Sequence, residues 1–120
     1  MSAKDKYSQA YARFLNLAWA IEKLSESISL NPAEERMLQC LAVAWSEGER
    51  ITVLEAMALK HGLSHSTAHR RLTSLRKKGM LALKQHDKDA RVRFVMQTER
   101  AERYLSHMGR SVIDAAKAAA

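Results

Sequence analysis

The stretch Leu54–Lys78, LEAMALKHGLSHSTAHRRLTSLRKK, decides the fold that this sequence predicts. It holds two helical patterns separated by a turn of about three residues, where Gly62 suits the left-handed backbone that often follows a helix. Ser64 is a typical N-cap for the second helix. Apolar residues of that helix recur at the spacing of one buried face, at Ala68, Leu72 and Leu75. These features predict a helix-turn-helix, in which the small Ala58 allows the two helices to cross closely.

The opposite face of the second helix is polar and supplies candidate contacts to duplex DNA. An arginine such as Arg70 can bind guanine O6 and N7 as a fork, while imidazole and hydroxyl groups can bind base edges or phosphates. The candidates on this helix and its first turn are Ser64, His65, Ser66, Thr67, His69, Arg70 and Thr73. The pattern therefore predicts a recognition helix that enters the major groove. The alternative interpretation is an ordinary solvated helix face.

A charged β-hairpin follows the helix-turn-helix. Residues 80–85 and 92–97 are candidate strands. Leu81 and Leu83 alternate with Ala82 and Lys84 in the first, and Val92, Phe94 and Met96 alternate with Arg93 and Val95 in the second. A two-stranded ribbon of this kind can follow the DNA backbone or enter the minor groove as a wing. Its candidate DNA contacts are Lys84, Lys88, Asp89, Arg91 and Arg93. We expect the Asp89 carboxylate to orient the Arg91 guanidinium; the alternative is an ordinary charged turn.

Helices are predicted on both sides of this core. An apolar stripe runs along residues 7–28, Asn31 and Pro32 begin a mostly buried helix that ends near Gly48, and residues 50–53 fit a short strand or a linker. A helix opening at Thr52 or Val53 is expected to continue to His61 and Gly62. A last helix starts at Thr98 and Glu99 and is interrupted by Gly109.

The whole pattern predicts a mainly helical fold with one small β-hairpin, a winged helix-turn-helix. We expect a single domain over 1–120, comprising an N-terminal dimerisation helix at about 7–28, a core at 31–97 and a C-terminal dimerisation helix at 98–119. The apolar stripes of the two terminal helices predict a homodimer.

Composition favours an anionic partner. The chain of 120 residues has 20 Lys and Arg against 13 Asp and Glu, for a net charge of +7. Neither a membrane span nor a secretory signal is evident, which predicts a cytoplasmic protein that associates with the nucleoid when bound to DNA. The single Cys40 is interpreted as a small apolar residue of a helix.

No catalytic site, cofactor or metal is predicted. His65 and His69 stand four residues apart, as two metal ligands on one helix face do, but no third ligand lies near them in the sequence. A nucleophile paired with a base is not evident either, so we do not expect an enzyme.

Two segments resemble MarR-type transcriptional regulators. Ser64–Leu72, with Leu75 and Lys78–Leu81, is similar to the recognition helix and following strand of that family. Asp87–Arg91 and Gln97–Ala101 are similar to its wing and to the start of its next helix. The Ser-Thr-Ala-His-Arg run also resembles IclR-type regulators.

The MarR resemblance implies a winged helix homodimer that binds pseudo-palindromic DNA and often represses nearby genes. It places His65, Ser66, His69 and Arg70 at the bases, and it makes Asp89 and Arg91 the wing pair. Two other hypotheses stay open. One is a winged helix that serves as a protein adaptor, with DNA contact only incidental. The other is control by a small-molecule effector, which no residue here identifies.

Overall fold

The computed structural model describes residues 5–119, which contain five helices and three strands. Residues 1–4, on which the prediction of no secretory signal partly rests, and residue 120 lie outside this range. The elements are α1 Lys6–Ser27, α2 Pro32–Ser46, β1 Ile51–Thr52, α3 Val53–Met57, α4 His65–Lys77, β2 Leu81–Gln85, β3 Arg93–Gln97 and α5 Glu99–Ala119. The described residues divide into a core unit, residues 31–103, and a terminal unit that combines α1 with α5 from residue 104 onward.

Side-chain caps set the start of each helix in the core unit. Asn31 accepts a hydrogen bond from the Glu34 backbone N–H, and the Glu34 carboxylate accepts one from the Asn31 N–H, which makes a reciprocal capping box. Thr52 and Glu55 form a second capping box that begins α3. Both starts are confirmed as predicted because capping depends on residues close together in sequence.

The first helix of the predicted helix-turn-helix is shorter than expected. It ends at Met57 and does not reach His61 and Gly62. The prediction that Ala58 lies at the helix crossing is wrong, because Ala58 is exposed and Ala56 is fully buried. The cap at Thr52 fixes the rotation of α3, so that Ala56 faces the core and Leu54 is 74% exposed.

Antiparallel pairing joins the three strands in the order β1-β3-β2. The sequence of residues 50–53 is compatible with a strand or a linker, and the structure has the edge strand β1 there. Val95 lies opposite Ile51 on one side and Leu83 on the other, and these three residues share the face that packs toward the core. The expectation that Met96 shares a buried face with Phe94 is wrong, since Met96 is 39% exposed.

Phe94 is buried on the face of the sheet opposite to Val95. The Arg50 guanidinium carbon lies 4.2 Å from the centre of its ring, and the His86 ring lies 5.7 Å away. Both faces of β3 are thus covered at neighbouring positions, which a simple alternation of polarity does not predict.

The core unit is closed by α2 and α4 against the sheet. Its buried residues include Met37, Leu38, Leu41, Ala68, Leu72, Leu75, Met80, Leu81 and Val95. Burying each of the large ones contributes about 1.5–3 kcal/mol relative to exposure. The predicted buried face of α4 is confirmed. The helix α2, which the sequence predicts to be mostly buried, leaves Val43 60% exposed.

The terminal unit presents apolar side chains to solvent. The Ser25 and Tyr104 hydroxyl groups lie 2.9 Å apart and join α1 to α5 within this unit. Large apolar residues of α1 remain more than half exposed, namely Tyr7, Tyr11, Phe14 and Trp19. The predicted interruption at Gly109 is wrong, because α5 continues through it. Across residues 5–119 no helix is both long and apolar enough to cross a lipid bilayer.

Candidate nucleic-acid interface

The outward face of α4 is fully available to a partner. Ala68, Leu72 and Leu75 face inward, while every candidate at the other side of the helix is exposed: His65, Ser66, His69, Arg70 and Thr73. The sequence of α4 contains no carboxylate, so the face carries only neutral and cationic groups. A helix of this kind is suited to an anionic, hydrogen-bonding surface.

The first turn of α4 uses two of the predicted contact residues for its own structure. The Ser64 hydroxyl oxygen accepts a hydrogen bond from the Thr67 N–H at 3.2 Å and lies 2.9 Å from the Thr67 hydroxyl. Arg70 also reaches the Thr67 hydroxyl, with Nη2 3.4 Å from Oγ1. Ser64 and Thr67 are therefore engaged in capping, and Arg70 is held along the helix surface toward its N-terminus.

A buried histidine, for which no such role was predicted, supports the turn before α4. The His61 side chain is only 2% exposed, and its Nδ1 accepts a hydrogen bond from the Leu63 N–H at 3.1 Å. Its Nε2 lies 3.2 Å from the Ala56 carbonyl oxygen and must donate there, since Nδ1 is the acceptor. Gly62 has a φ of +71°, as predicted for the turn. The neutral imidazole thus joins the end of α3 to the start of α4.

At the tip of the wing, Asp89 holds Arg91 as the sequence predicts. The Arg91 Nε lies 3.2 Å from one carboxylate oxygen and its Nη2 3.4 Å from the other, and the Arg91 N–H also donates to Asp89. These hydrogen bonds from Arg91 lower the pKa of Asp89 below its usual value. The Arg91 side chain remains 91% exposed, so its direction is fixed while its outer edge stays open. Its contact with DNA stays a prediction.

The other basic residues of the wing lie on two faces of the hairpin. Lys84 pairs with Phe94 across the strands, and Arg93 pairs with Gln85 on the opposite face. Arg93 is therefore on the same side of β3 as the buried Val95, which is the side that faces α4. Lys84 and Arg93 therefore lie on opposite faces of the hairpin, and Lys88 is exposed in the loop at the tip.

Arg76, which was not among the predicted DNA contacts, joins the candidate residues of this interface. It lies three residues after Thr73, so helical spacing places both on one face. In the structure Arg76 and Arg93 line the same cleft between α4 and the sheet. Met57 was also absent from the predicted DNA contacts. It borders a shallow depression with Ser66 and Arg70 at the start of α4.

The spacing of His65 and His69 remains the only suggestion of a metal in the sequence. Both imidazoles are exposed on α4. Among the described residues, no group of three or more His, Cys, Asp or Glu side chains is arranged to hold a metal ion. Burial raises the pKa of the Cys40 thiol, which favours the unreactive thiol over the thiolate.

Solved structures of bacterial regulators share this fold. The S. aureus MepR–DNA complex aligns with a TM-score of 0.68 at 10% identity, over 90% of this chain and 82% of that one. A MarR family protein from Bacillus stearothermophilus gives 0.60 at 20% identity, over 97% and 82%. Bordetella bronchiseptica BpsR gives 0.56 at 14% identity, over 94% and 75%. No family profile and no curated protein matches the sequence. The predicted winged helix fold and its likeness to MarR-type structures are confirmed.

Proposed function

We propose that this protein binds specific sites in duplex DNA and regulates transcription, acting as a repressor where its site overlaps a promoter. One observation carries the proposal: an exposed helix face with no carboxylate stands beside a wing whose arginine is held outward by Asp89. In this interpretation α4 enters the major groove and the wing follows the adjacent backbone or minor groove. The MepR structure, a complex with DNA, supports this use of the shared fold.

We propose further that the functional form is a homodimer. The exposed apolar residues of α1 form a surface that a monomer of this size rarely leaves in water. A symmetric dimer has two copies of α4, and the recognition helices of such dimers enter successive major grooves about 34 Å apart. The DNA site is then a pseudo-palindrome, because its symmetry follows that of the protein.

Selection of bound duplexes from a random pool tests both parts of the proposal. The expected result is a palindromic site whose half-sites are about one helical turn apart. Affinity for the selected site should fall steeply with salt, because Lys and Arg contacts release counterions from the phosphates. An absence of duplex binding at low salt contradicts the proposed function, whereas a site without symmetry contradicts only the dimer.

The exposed face of α1 also supports a second candidate, a winged helix that serves as a protein adaptor. Tyr7, Tyr11, Phe14 and Trp19 can dock the apolar face of a partner helix as well as a second copy of this chain. Reversing the charge at Arg70 and Arg91 distinguishes the two. If the charge-reversed variants no longer produce the phenotype that the wild-type protein produces in cells, DNA binding is supported. If the phenotype is unchanged and the partner complex is intact, the adaptor is supported.

Control by a small molecule is a further part of the proposal. BpsR is described as a protein whose DNA binding is regulated by 6-hydroxynicotinic acid. A ligand can regulate this chain only if it binds the DNA-competent and incompetent states with different affinities. Thermal unfolding in the presence of a panel of aromatic acids tests this. An effector is expected to raise the unfolding temperature and to weaken DNA binding.

A further inference from the structure

The cleft between α4 and the sheet is a second concave surface beside the exposed recognition face. Its volume is about 200 Å³, which is room for several water molecules. Leu72 and Leu83 form its apolar floor, and its rim carries His69, Thr73, Arg76 and Arg93. None of the described residues that line the cleft is an Asp or a Glu, so Arg76 and Arg93, which come from different elements, border it without an internal counter-charge.

The two arginines have free donors. Within residues 5–119, neither Arg76 nor Arg93 has a carboxylate oxygen within ion-pair distance. The Thr73 hydroxyl donates to the His69 carbonyl oxygen at 3.1 Å, so the donors available to a ligand come from the guanidinium groups and the His69 imidazole. A guanidinium presents its N–H groups as a planar fork that matches the oxygens of a phosphate.

The position of the cleft indicates which phosphate would occupy it. A recognition helix in the major groove and a wing on the neighbouring minor groove are separated by one DNA strand, whose backbone must pass between them. In this protein the surface between α4 and the wing is this cleft. Its donors therefore face the sugar-phosphate backbone and not the base edges.

We propose that Arg76 and Arg93 hold one backbone phosphate of the bound duplex in this cleft, with His69 as a third donor. The inference rests on the proposed function and adds a division of labour along α4. His65, Ser66 and Arg70 belong to the base-reading side near the start of the helix, together with Met57. His69 borders both surfaces, and Thr73 and Arg76 belong to the phosphate side.

The test compares the salt dependence of DNA binding in Arg76→Gln, Arg93→Gln and the double variant with that of the wild-type protein. The ligand is one duplex of about 30 base pairs with mixed sequence, long enough for a symmetric pair of half-sites. Losing one phosphate contact per chain lowers the slope of log affinity against log salt by about 0.9 for each chain bound. Between 50 and 200 mM salt, this makes the loss of affinity about 3.5-fold smaller per chain.

Two controls keep the result interpretable. Arg103→Gln removes the same charge from α5, which does not line the cleft, and its slope should match the wild-type slope. Arg76→Lys with Arg93→Lys keeps both charges and should retain most of the slope. Since both arginines are exposed, the Gln variants are expected to unfold at the wild-type urea concentration, and each single variant provides a second measurement if the double variant does not fold.

The outcomes separate the inference from the function on which it rests. If the Gln variants have the wild-type slope, or if Arg103→Gln lowers the slope as much as they do, the phosphate site is overturned. DNA binding itself is then still supported. A wild-type protein that binds no duplex at low salt overturns the proposed function, and the phosphate site with it. A reduced slope in the Gln variants alone supports the inference.

Discussion

Lys78 donates a hydrogen bond to the Glu34 carboxylate across 2.7 Å, which ties the end of the recognition helix to the first turn of α2. The Glu34 side chain is 1% exposed and the Lys78 side chain 33%. The same Glu34 oxygen accepts the Asn31 N–H of the capping box. One carboxylate therefore fixes the start of one helix and the position of another.

Replacing Lys78 with methionine should destabilise the protein by about 1–3 kcal/mol, because it leaves a buried carboxylate without its cation. Urea unfolding of wild type and variant measures the difference. In the double variant Glu34→Gln with Lys78→Met the loss should be smaller, since no charge remains buried. A Lys78→Met protein as stable as wild type would show that the ion pair contributes nothing.

The same carboxylate predicts how stability changes with pH. Burial raises the pKa of Glu34. Hydrogen bonds from the Asn31 backbone and from Lys78 lower this pKa by more than burial raises it, so the net shift is downward from 4.5. A pKa lowered on folding contributes stability that is complete above the unfolded value and disappears as the pH falls through the folded one. The stability difference between wild type and Glu34→Gln should therefore be constant at neutral pH and shrink below about pH 4.5. A difference that grows in acid contradicts this assignment.

The buried His61 should be important for the turn that positions α4. Substitution by alanine removes the acceptor of the Leu63 N–H and the donor to the Ala56 carbonyl, and leaves a cavity. We expect a loss of about 2–4 kcal/mol in the free energy of unfolding. His86 provides a matched control, because its Nδ1 accepts the Lys88 N–H at 3.0 Å but its side chain is only partly buried. His86→Ala should cost less than about 1 kcal/mol, and equal costs would contradict the role of burial.

Two glycines should respond to alanine in opposite directions. Gly79 has a φ of +77°, so alanine should destabilise the protein by about 1–2 kcal/mol through backbone strain alone, because its Cβ would meet nothing closer than 3.7 Å. Gly109 lies inside α5 with open space around it, and alanine there should stabilise the helix by about 0.5–1 kcal/mol. Thermal unfolding of both variants checks the signs. A stabilised Gly79→Ala protein would mean that the turn after α4 relaxes readily.

The features that the sequence predicted correctly depend on neighbours in the chain. The caps at Asn31 and Ser64, the turn at Gly62 and the Asp89–Arg91 pair each involve residues at most a few positions apart. Local patterns were wrong about the end of α3 and about Gly109, and they do not reach contacts between distant segments. Glu34 and Lys78 are 44 residues apart, and nothing in either local sequence indicates that they meet.

The hairpin shows the same limit. Phe94, Val95 and Met96 are consecutive apolar residues of β3. Arg50 covers Phe94 on one face, while Ile51 and Leu83 flank Val95 on the other. The buried residues are consequently adjacent, not alternate. Arg76 was missed for a different reason: its spacing from Thr73 was visible, but the cleft that it shares with Arg93 exists only after the sheet has formed.

Arg70 and Arg91 should have different effects on DNA binding because one lies on the recognition face and the other at the wing tip. Arg70→Ala should weaken binding to a selected site by about 1–3 kcal/mol and relax its sequence preference, with little effect on an unrelated duplex. Arg91→Ala should weaken both duplexes by a similar factor. Asp89→Asn keeps the Arg91 charge but loses the carboxylate that directs it, so its effect should be in the same direction and smaller. Affinities for the selected and a scrambled duplex at one salt concentration measure all three. If Arg91→Ala altered only the selected site, the wing would be reading sequence and its assignment to the backbone would be wrong.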